Sequence, residues 1–461
     1  MTPLPRVLVI GGGISGLSAA FWLKRAGFPV EVLEEDPEAG GTMKTVVDNG
    51  WLVEMGPNSA LETTPLFELM FKELGILSER LYADAASENR YIVRDGRLHA
   101  LPMKPGAFLK SGLWTFAGKL RLLKEPFVGR ARDEESVASF VERRLGREFL
   151  DYAINPFVAG VYAGDPAQLS VRAAFPKLYA LEREYGGLIR GMIGGARKRK
   201  RRAEKAKDRA TMFSFARGMQ TFPRALSRYI GPEVQGGNAV RALSPYGAGD
   251  KTRSFRVTVG SGSTMREHQS DLIIIATPAR AAANLIESFA PAVAARLRSI
   301  YYPPVAEVFL GYRTPAIKQP LNGFGYLVPA KEHRSVLGTI WSSSLFPYRS
   351  PEGHVALTSF VGGSRQPELT DRSDEELVAL THNEIRSLLG AEEQPVYQRV
   401  MRWRQAIPQY NLGHGSIMDA VGSLEAGHPG LFFCANYRGG IAVGDCVMNA
   451  ERLAARVAKH L

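Results

Sequence analysis

Cysteine is nearly absent from this chain, with Cys434 and Cys446 the only two in 461 residues. Two cysteines set up neither a disulfide framework nor metal-ligand spacing, so both are expected to be small buried hydrophobes of a cytoplasmic chain. Long apolar runs are missing too: nowhere is there an unbroken apolar run of the roughly 18 residues that a membrane-spanning helix needs. The mostly apolar stretch from Val7 to Leu23 lacks a basic segment before it and a small-residue cleavage site after it, so it does not read as a secretory signal. His99, His333, His354 and His414 stand singly. No Ser-His-Asp or Cys-His arrangement accompanies them, and none is assigned a catalytic role. Internal repeats are lacking as well.

The charge is lopsided. Lysine and arginine number 58 against 46 acids, a formal net of +12. Residues Arg197–Arg209 (RKRKRRAEKAKDR) hold nine basic and two acidic residues, and so +7 of that total. The run has no interleaved aromatics, which argues against nucleic acid. Two readings stand: a solvated excursion within a domain, or attraction to anionic lipid. With 45% hydrophobic residues the rest fits a globular protein of two or three domains.

The most informative stretch is RVLVIGGGISGLSAAFWLKRAGFPVEVLEE. A short apolar strand, Val7–Ile10, runs into Gly11-Gly12-Gly13-Ile14-Ser15-Gly16, then an amphipathic helix, then a strand Val30–Leu33 that ends on Glu34. Each position has a job in dinucleotide binding. Gly11 permits the tight turn, Gly13 lets a pyrophosphate approach the backbone, and Gly16 lets helix and strand pack closely. The helix start offers unpaired N–H groups to phosphate. Glu34, 18 residues past Gly16, is placed to accept from the ribose hydroxyls.

Further blocks recur along the chain. Gly40-Gly41-Thr42-Met43-Lys44 follows the acid, and Glu54-Met55-Gly56-Pro57-Asn58-Ser59 comes next. Val234–Val240, Arg253–Val259 and Asp271–Pro278 read as later strands. Pro429–Asn436, a glycine turn at Arg438–Gly444 and a helix from Asp445 to about His460 repeat the strand–turn–helix pattern. The helix amides there suit negative charge on a reduced cofactor ring. The expected division is residues 1–86, 211–295 and 411–461 for a cofactor domain, 87–210 for a helical region and 296–410 for a strand-rich domain. Within the second, Glu134–Leu150 is the clearest amphipathic helix. Within the third, Val305–Tyr312, Gly325–Val328 and Val355–Val361 are strand-like.

These residues carry a resemblance. A GG turn with a basic residue after the ribose acid is similar to the FAD-binding flavoproteins of the amine-oxidase superfamily. More specifically, NRYIVRDGRLHALP, NPFVAGVYAGDPAQLS, GFGYLVP, LGTIWSSSLFP, SFVGGSR, RWRQAIPQYNLGH and NYRGGIAVGDC resemble the oxygen-dependent protoporphyrinogen oxidases over essentially the whole chain. The resemblance implies an α/β fold: a Rossmann-like FAD domain of the p-hydroxybenzoate hydroxylase and monoamine oxidase type, an inserted α+β substrate domain and a helical membrane-facing region. It implies FAD contacts at Gly11, Gly13, Ile14, Ser15, Gly16, Glu34, Gly41, Lys44, Gly56, Pro57, Asn58, Val240, Trp403, Ile441, Ala442 and Val443. Lys44 stands where plant relatives carry arginine, which keeps the charge and loses the fork.

For substrate it implies Arg90 on a propionate, Gly160 facing the pyrrole N–H groups with its backbone, and Leu327, Ile340 and Phe360 sandwiching the macrocycle. Leucine is commoner in the family at the position of Ile340. The implied reaction removes six electrons from protoporphyrinogen IX in three cycles, with dioxygen giving hydrogen peroxide. The same resemblance brings expectations of a homodimer, peripheral membrane contact and hand-off to ferrochelatase. The segment Leu109–Phe116, with Lys104, Lys110, Lys119 and Arg121 around it, has the composition of an interfacial patch. Its alternative is a cover for the substrate-domain core. Two rival activities are oxidation of coproporphyrinogen III and, further off, a flavin amine oxidase.

Overall fold

The computed structural model describes residues 4–84, 89–102, 104–194, 210–246, 254–262 and 264–459. The basic run 197–209 lies outside the described residues. Two sheets organise the fold. The first is parallel and five-stranded, in the order Val234–Gln235, Val30–Leu33, Val7–Ile10, Leu272–Ile275, Leu431–Phe433. Its strands VLVI, VEVL and LIII are buried at every residue. Continuous burial follows from cover on both faces, the usual condition of a parallel sheet. On one side Val7 and Val9 pack against helices Ile14–Arg25 and Val443–Lys459. On the other, Leu8 and Ile10 meet Ala279–Ile286, Pro291–Arg298 and the antiparallel Ala239–Tyr246 and Ser254–Ser261 pair.

The second sheet has seven strands, in the order Tyr397–Trp403, Val305–Arg313, His354–Gly362, Val336–Ile340, Gly323–Leu327, Asn89–Arg94, Arg97–Ala100. All its pairings are antiparallel except that of Gly323–Leu327 with Asn89–Arg94. Strand alternation splits its side chains. Ala306, Val308, Leu310 and Tyr312 face the helix Asp374–Leu389 in one core, while Phe309 packs with Trp51 on the other side. That helix starts at a Ser373–Glu376 capping box and stops at Gly390 with φ +67°, as its sequence dictates.

Several expectations change. Asn89–Ala100, expected within the helical region, forms the last two strands at one end of this second sheet, with Arg97–Ala100 at the edge. The stretch Glu134–Leu150 is not one helix. A helix runs Val137–Leu145 and breaks at Gly146, whose φ of +95° no helix interior adopts; a wide turn at Leu150–Ile154 leads into Asn155–Tyr162. Val234–Val240 divides at Gly236-Gly237, with Val234–Gln235 joining the parallel sheet and Ala239–Tyr246 another. The last helix begins at Val443 rather than Asp445.

Candidate active site

The first strand delivers the chain to Gly11, at φ +107°. A side chain at Gly16 would put its Cβ 2.0 Å from Gly11 O and 3.1 Å from Ala276 Cβ, so helix and strand touch through backbone. Gly13 caps the helix Ile14–Arg25 with no side chain accepting from its amides, and a Cβ there would meet nothing within 4 Å. An uncapped helix start facing open space is what an anion needs. Ile14 and Ser15 form the first turn. Glu34 leaves the end of the second strand and accepts from Gly12 N at 2.6 Å and Asp36 N at 2.9 Å. Asn238 N donates to Glu34 O at 2.8 Å, bringing the start of the Val240 strand to the same edge.

The GG turn closes over this cradle. Gly40 N donates to Gly12 O at 2.8 Å, and a Cβ at Gly41 would lie 3.1 Å from Gly13 Cα. Lys44 does not point inward: its Nζ pairs with Asp36 at 2.7 Å on the surface. At Gly56 a Cβ would fall 2.1 Å from Thr42 O, so only glycine lets this loop lie beside the turn. Trp403 Nε1 donates to Met55 O at 2.6 Å and ties the second sheet to that loop. Ile441 and Ala442 lead into the last helix, which begins at Val443. The turn before them is held by Tyr410, whose hydroxyl donates to Asn436 O and accepts from Gly440 N. His414 stacks on Tyr410 with centroids 4.2 Å apart. Burial pushes its imidazole down to about 4, a neutral structural ring at working pH.

The four side chains expected around a substrate leave one face of the second sheet. Leu327 stands opposite Gly338, Gly338 opposite Phe360, and Phe360 opposite Glu307. Two residues along each strand, Arg90 stands opposite Gly325, Gly325 opposite Ile340, and Ile340 opposite Thr358. Residues opposite one another, and those two apart, share a face. Leu327, Ile340 and Phe360 are half-buried in an otherwise buried part of the sheet, and Arg90 is exposed. The guanidinium of Arg90 lies 5.9 Å from the Phe324 ring and pairs with no carboxylate among the described residues. From above, Asn155–Tyr162 crosses the row: a Cβ at Gly160 would meet Leu327 Cδ2 at 2.4 Å.

A polar network that sequence reasoning missed joins cradle and row. Asn58 Nδ2 donates to Glu307 Oε1 at 2.7 Å and to Gly56 O at 3.2 Å. Arg349 donates to Asn58 O at 3.1 Å and Ser214 Oγ at 2.7 Å, and its other nitrogen pairs with Glu54. Glu54 also accepts from Thr45 Oγ1 and Met219 N. Both partners of this ion pair are almost fully buried. The one available signal was a lone acid in the apolar strand VAEVFLGY. Burial pushes the Glu307 carboxyl up to about 8, against the Asn58 hydrogen bond that favours its charged form.

The residues present fit a dinucleotide: an uncapped helix start, open space at Gly13, and an acid at the end of the second strand. The comparisons with known proteins agree. The flavin containing amine oxidoreductases match residues 14–458. Protoporphyrinogen oxidase 2, chloroplastic/mitochondrial, of Arabidopsis thaliana is 34% identical over 480 residues, covering 99% of this chain and 94% of that protein. Coproporphyrinogen III oxidase of Bacillus subtilis (strain 168) is 27% identical over 459 residues, with 96% and 95% covered. Among solved structures, a candidate protoporphyrinogen oxidase from Exiguobacterium sp. 255-15 superposes with a TM-score of 0.80 at 21% identity over 99% of both chains, a likeness of fold. The chain therefore belongs to the flavin containing amine oxidoreductases and, within them, to the protoporphyrinogen oxidase family.

Proposed function

We propose that this chain is an FAD-dependent oxidase that converts protoporphyrinogen IX to protoporphyrin IX in tetrapyrrole biosynthesis. The observation that carries the reading is the gathering of Arg90, Leu327, Ile340 and Phe360, in two neighbouring rows, on one sheet face that Glu307 joins to the cradle through Asn58. When bound, FAD accepts hydride equivalents from the substrate and passes them to dioxygen as hydrogen peroxide. The chain's own residues bind and orient. Gly13 and the start of the first helix take the pyrophosphate, and Glu34 the ribose. Gly56, Pro57, Trp403 and the turn at Ile441–Val443 surround the ring. Leu327, Ile340 and Phe360 make a flat apolar slot, with contact area and no competing hydrogen bonds. Arg90, at its open end, forks onto a propionate carboxylate. Gly160 presents backbone rather than a side chain above Leu327.

The test is anaerobic bleaching of the bound flavin by protoporphyrinogen IX against coproporphyrinogen III. Faster bleaching by protoporphyrinogen IX is expected; preference for the four-carboxylate substrate would select the second reading, which the Bacillus subtilis relative favours.

We also propose that the enzyme lies on the membrane surface from the cytoplasmic side. Among the described residues no helix is long and apolar enough to cross a membrane. Leu113 and Trp114 are buried, but Leu109, Phe116, Leu120, Leu123 and Phe127 are exposed, the last by 84%. They occupy the short consecutive helices Pro105–Lys110, Phe116–Arg121 and Leu122–Phe127 amid Lys104, Lys110, Lys119, Arg121 and Lys124. Apolar side chains in a cationic surround suit an anionic interface. Flotation with anionic liposomes at low salt is expected, and a protein that stays at the bottom of the gradient would refute it.

A further inference from the structure

We infer that Glu307 is the proton acceptor of this active site, with Asn58 as the residue that positions it. The inference rests on the reading above that the slot holds a porphyrinogen. Glu307 is the next member of the slot row after Phe360, directly opposite it across the sheet. Its side chain therefore leaves the same face as Leu327 and Phe360, at the end of the row nearest the Met55–Asn58 loop. A substrate whose reacting carbon must reach the cofactor while its ring lies on Phe360 brings its N–H groups to this end. Among the described residues the carboxyl's hydrogen-bond partner is Asn58 Nδ2. That amide is itself held, because Gly56 O takes its second proton, and Arg349 fixes the residue by donating to the Asn58 backbone carbonyl. An acid that is 4% exposed, with one amide as partner, is costly to bury for structure alone.

The charged groups acting on it are Glu54 and Arg349, themselves an ion pair; Phe360 and Met401 flank it across the sheet. Burial outweighs them and places its titration at about 8, where a base can work near neutral pH.

The step balances. A meso C–H bond breaks with its electron pair going to the oxidised cofactor, a pyrrole N–H bond breaks, and its proton forms an O–H bond on the Glu307 carboxylate. The substrate is oxidised by two electrons to an imine. Reoxidation by dioxygen consumes one such electron pair with its hydrogen and one proton, the proton that Glu307 returns, giving hydrogen peroxide.

Glu307→Gln keeps shape and can still meet Asn58, and it removes the base. In wild type, kcat/KM is expected to rise with pH through about 8, and E307Q to be flat and lower by on the order of a hundredfold. A second readout needs no turnover. The folded state holds a proton that the unfolded chain releases near 4.5, so wild type loses stability relative to E307Q as pH rises from about 4.5 towards about 8. Identical pH profiles in an active wild type, or parallel stability curves, would overturn the role of Glu307 alone. A wild type that no porphyrinogen reduces would overturn the substrate reading with it, even where the stability curves diverge. Asn58→Ala should shift the pH midpoint upward, because it removes the hydrogen bond that favours the carboxylate; an unmoved midpoint would refute positioning by Asn58.

Discussion

The cofactor cradle and the proposed substrate face are built from different materials. The cradle is backbone: Gly11, Gly13, Gly16, Gly41 and Gly56 are places where a side chain would strain the chain, strike it or fill the space a phosphate needs. The substrate face is side chain on a sheet, and its members come from strands starting at Asn89, Gly323, Val336 and His354. A backbone site is specified locally, so a run of six residues carries most of it. A side-chain site is specified by register, so it exists only after distant strands pair.

That difference is sharpest at two glycines. Gly16 has no room for a Cβ, whereas Gly13 faces empty space. Gly13→Val should therefore fold and yet retain no FAD, the largest functional effect expected here, since the branched side chain would occupy the pyrophosphate position. Absorbance near 450 nm of the purified variant checks it, and full flavin content would break the assignment. Next in size is the junction. Arg349→Leu strands the buried Glu54 carboxylate and frees the Asn58 carbonyl, for an expected loss of about 3–5 kcal/mol. Urea unfolding measures it. The double variant Glu54→Leu/Arg349→Leu should recover much of that loss; if it does not, the pair contributes shape rather than charge balance.

How far the sequence was legible follows the same line. Val7–Ile10, Val30–Leu33, the glycine roles and Glu34 could be read from local rules, because each acts within a few residues of its neighbours. Arg90, Leu327, Ile340 and Phe360 came from family resemblance alone. Their common face depends on pairings that shift at Val336/Gly338 and Gly323/Gly325, and such irregularities leave no clear trace in one sequence. Glu307 is not legible locally because VAEVFLGY is apolar on both faces, so alternation does not say that its acid is buried. The break at Gly146 leaves no mark on the hydrophobic period, which continues across it, while a single positive φ decides the backbone. Lys44, an FAD contact by resemblance, pairs with Asp36 at the surface, a partner that no local rule in the sequence names.

Arg90 tests the open end of the face. It is exposed and pairs with no carboxylate among the described residues, so its removal should leave folding and flavin content unchanged. Arg90→Leu is expected to lower kcat/KM by tenfold or more, from roughly 1.5–3 kcal/mol for a charged hydrogen bond. Unaltered steady-state kinetics would reduce Arg90 to a surface residue of the strand next to the sheet edge.

The smallest effect is the most diagnostic. Phe360 packs against Ala159, Ala163, Val305 and Leu337 yet stays only half-buried. A phenylalanine fully in a core loses about 3–5 kcal/mol on truncation to alanine. A slot wall should lose less, about 1–2 kcal/mol, because part of its surface is already free of protein contact. The missing area should appear instead in substrate binding. Phe360→Ala is therefore expected to raise KM several-fold, with FAD retained and a modest drop in unfolding midpoint. Should stability fall by the full core amount while KM stays put, Phe360 belongs to the packing beneath Asn155–Tyr162. The slot would then lie along the Arg90–Ile340 row alone, too narrow a strip to hold both faces of a macrocycle.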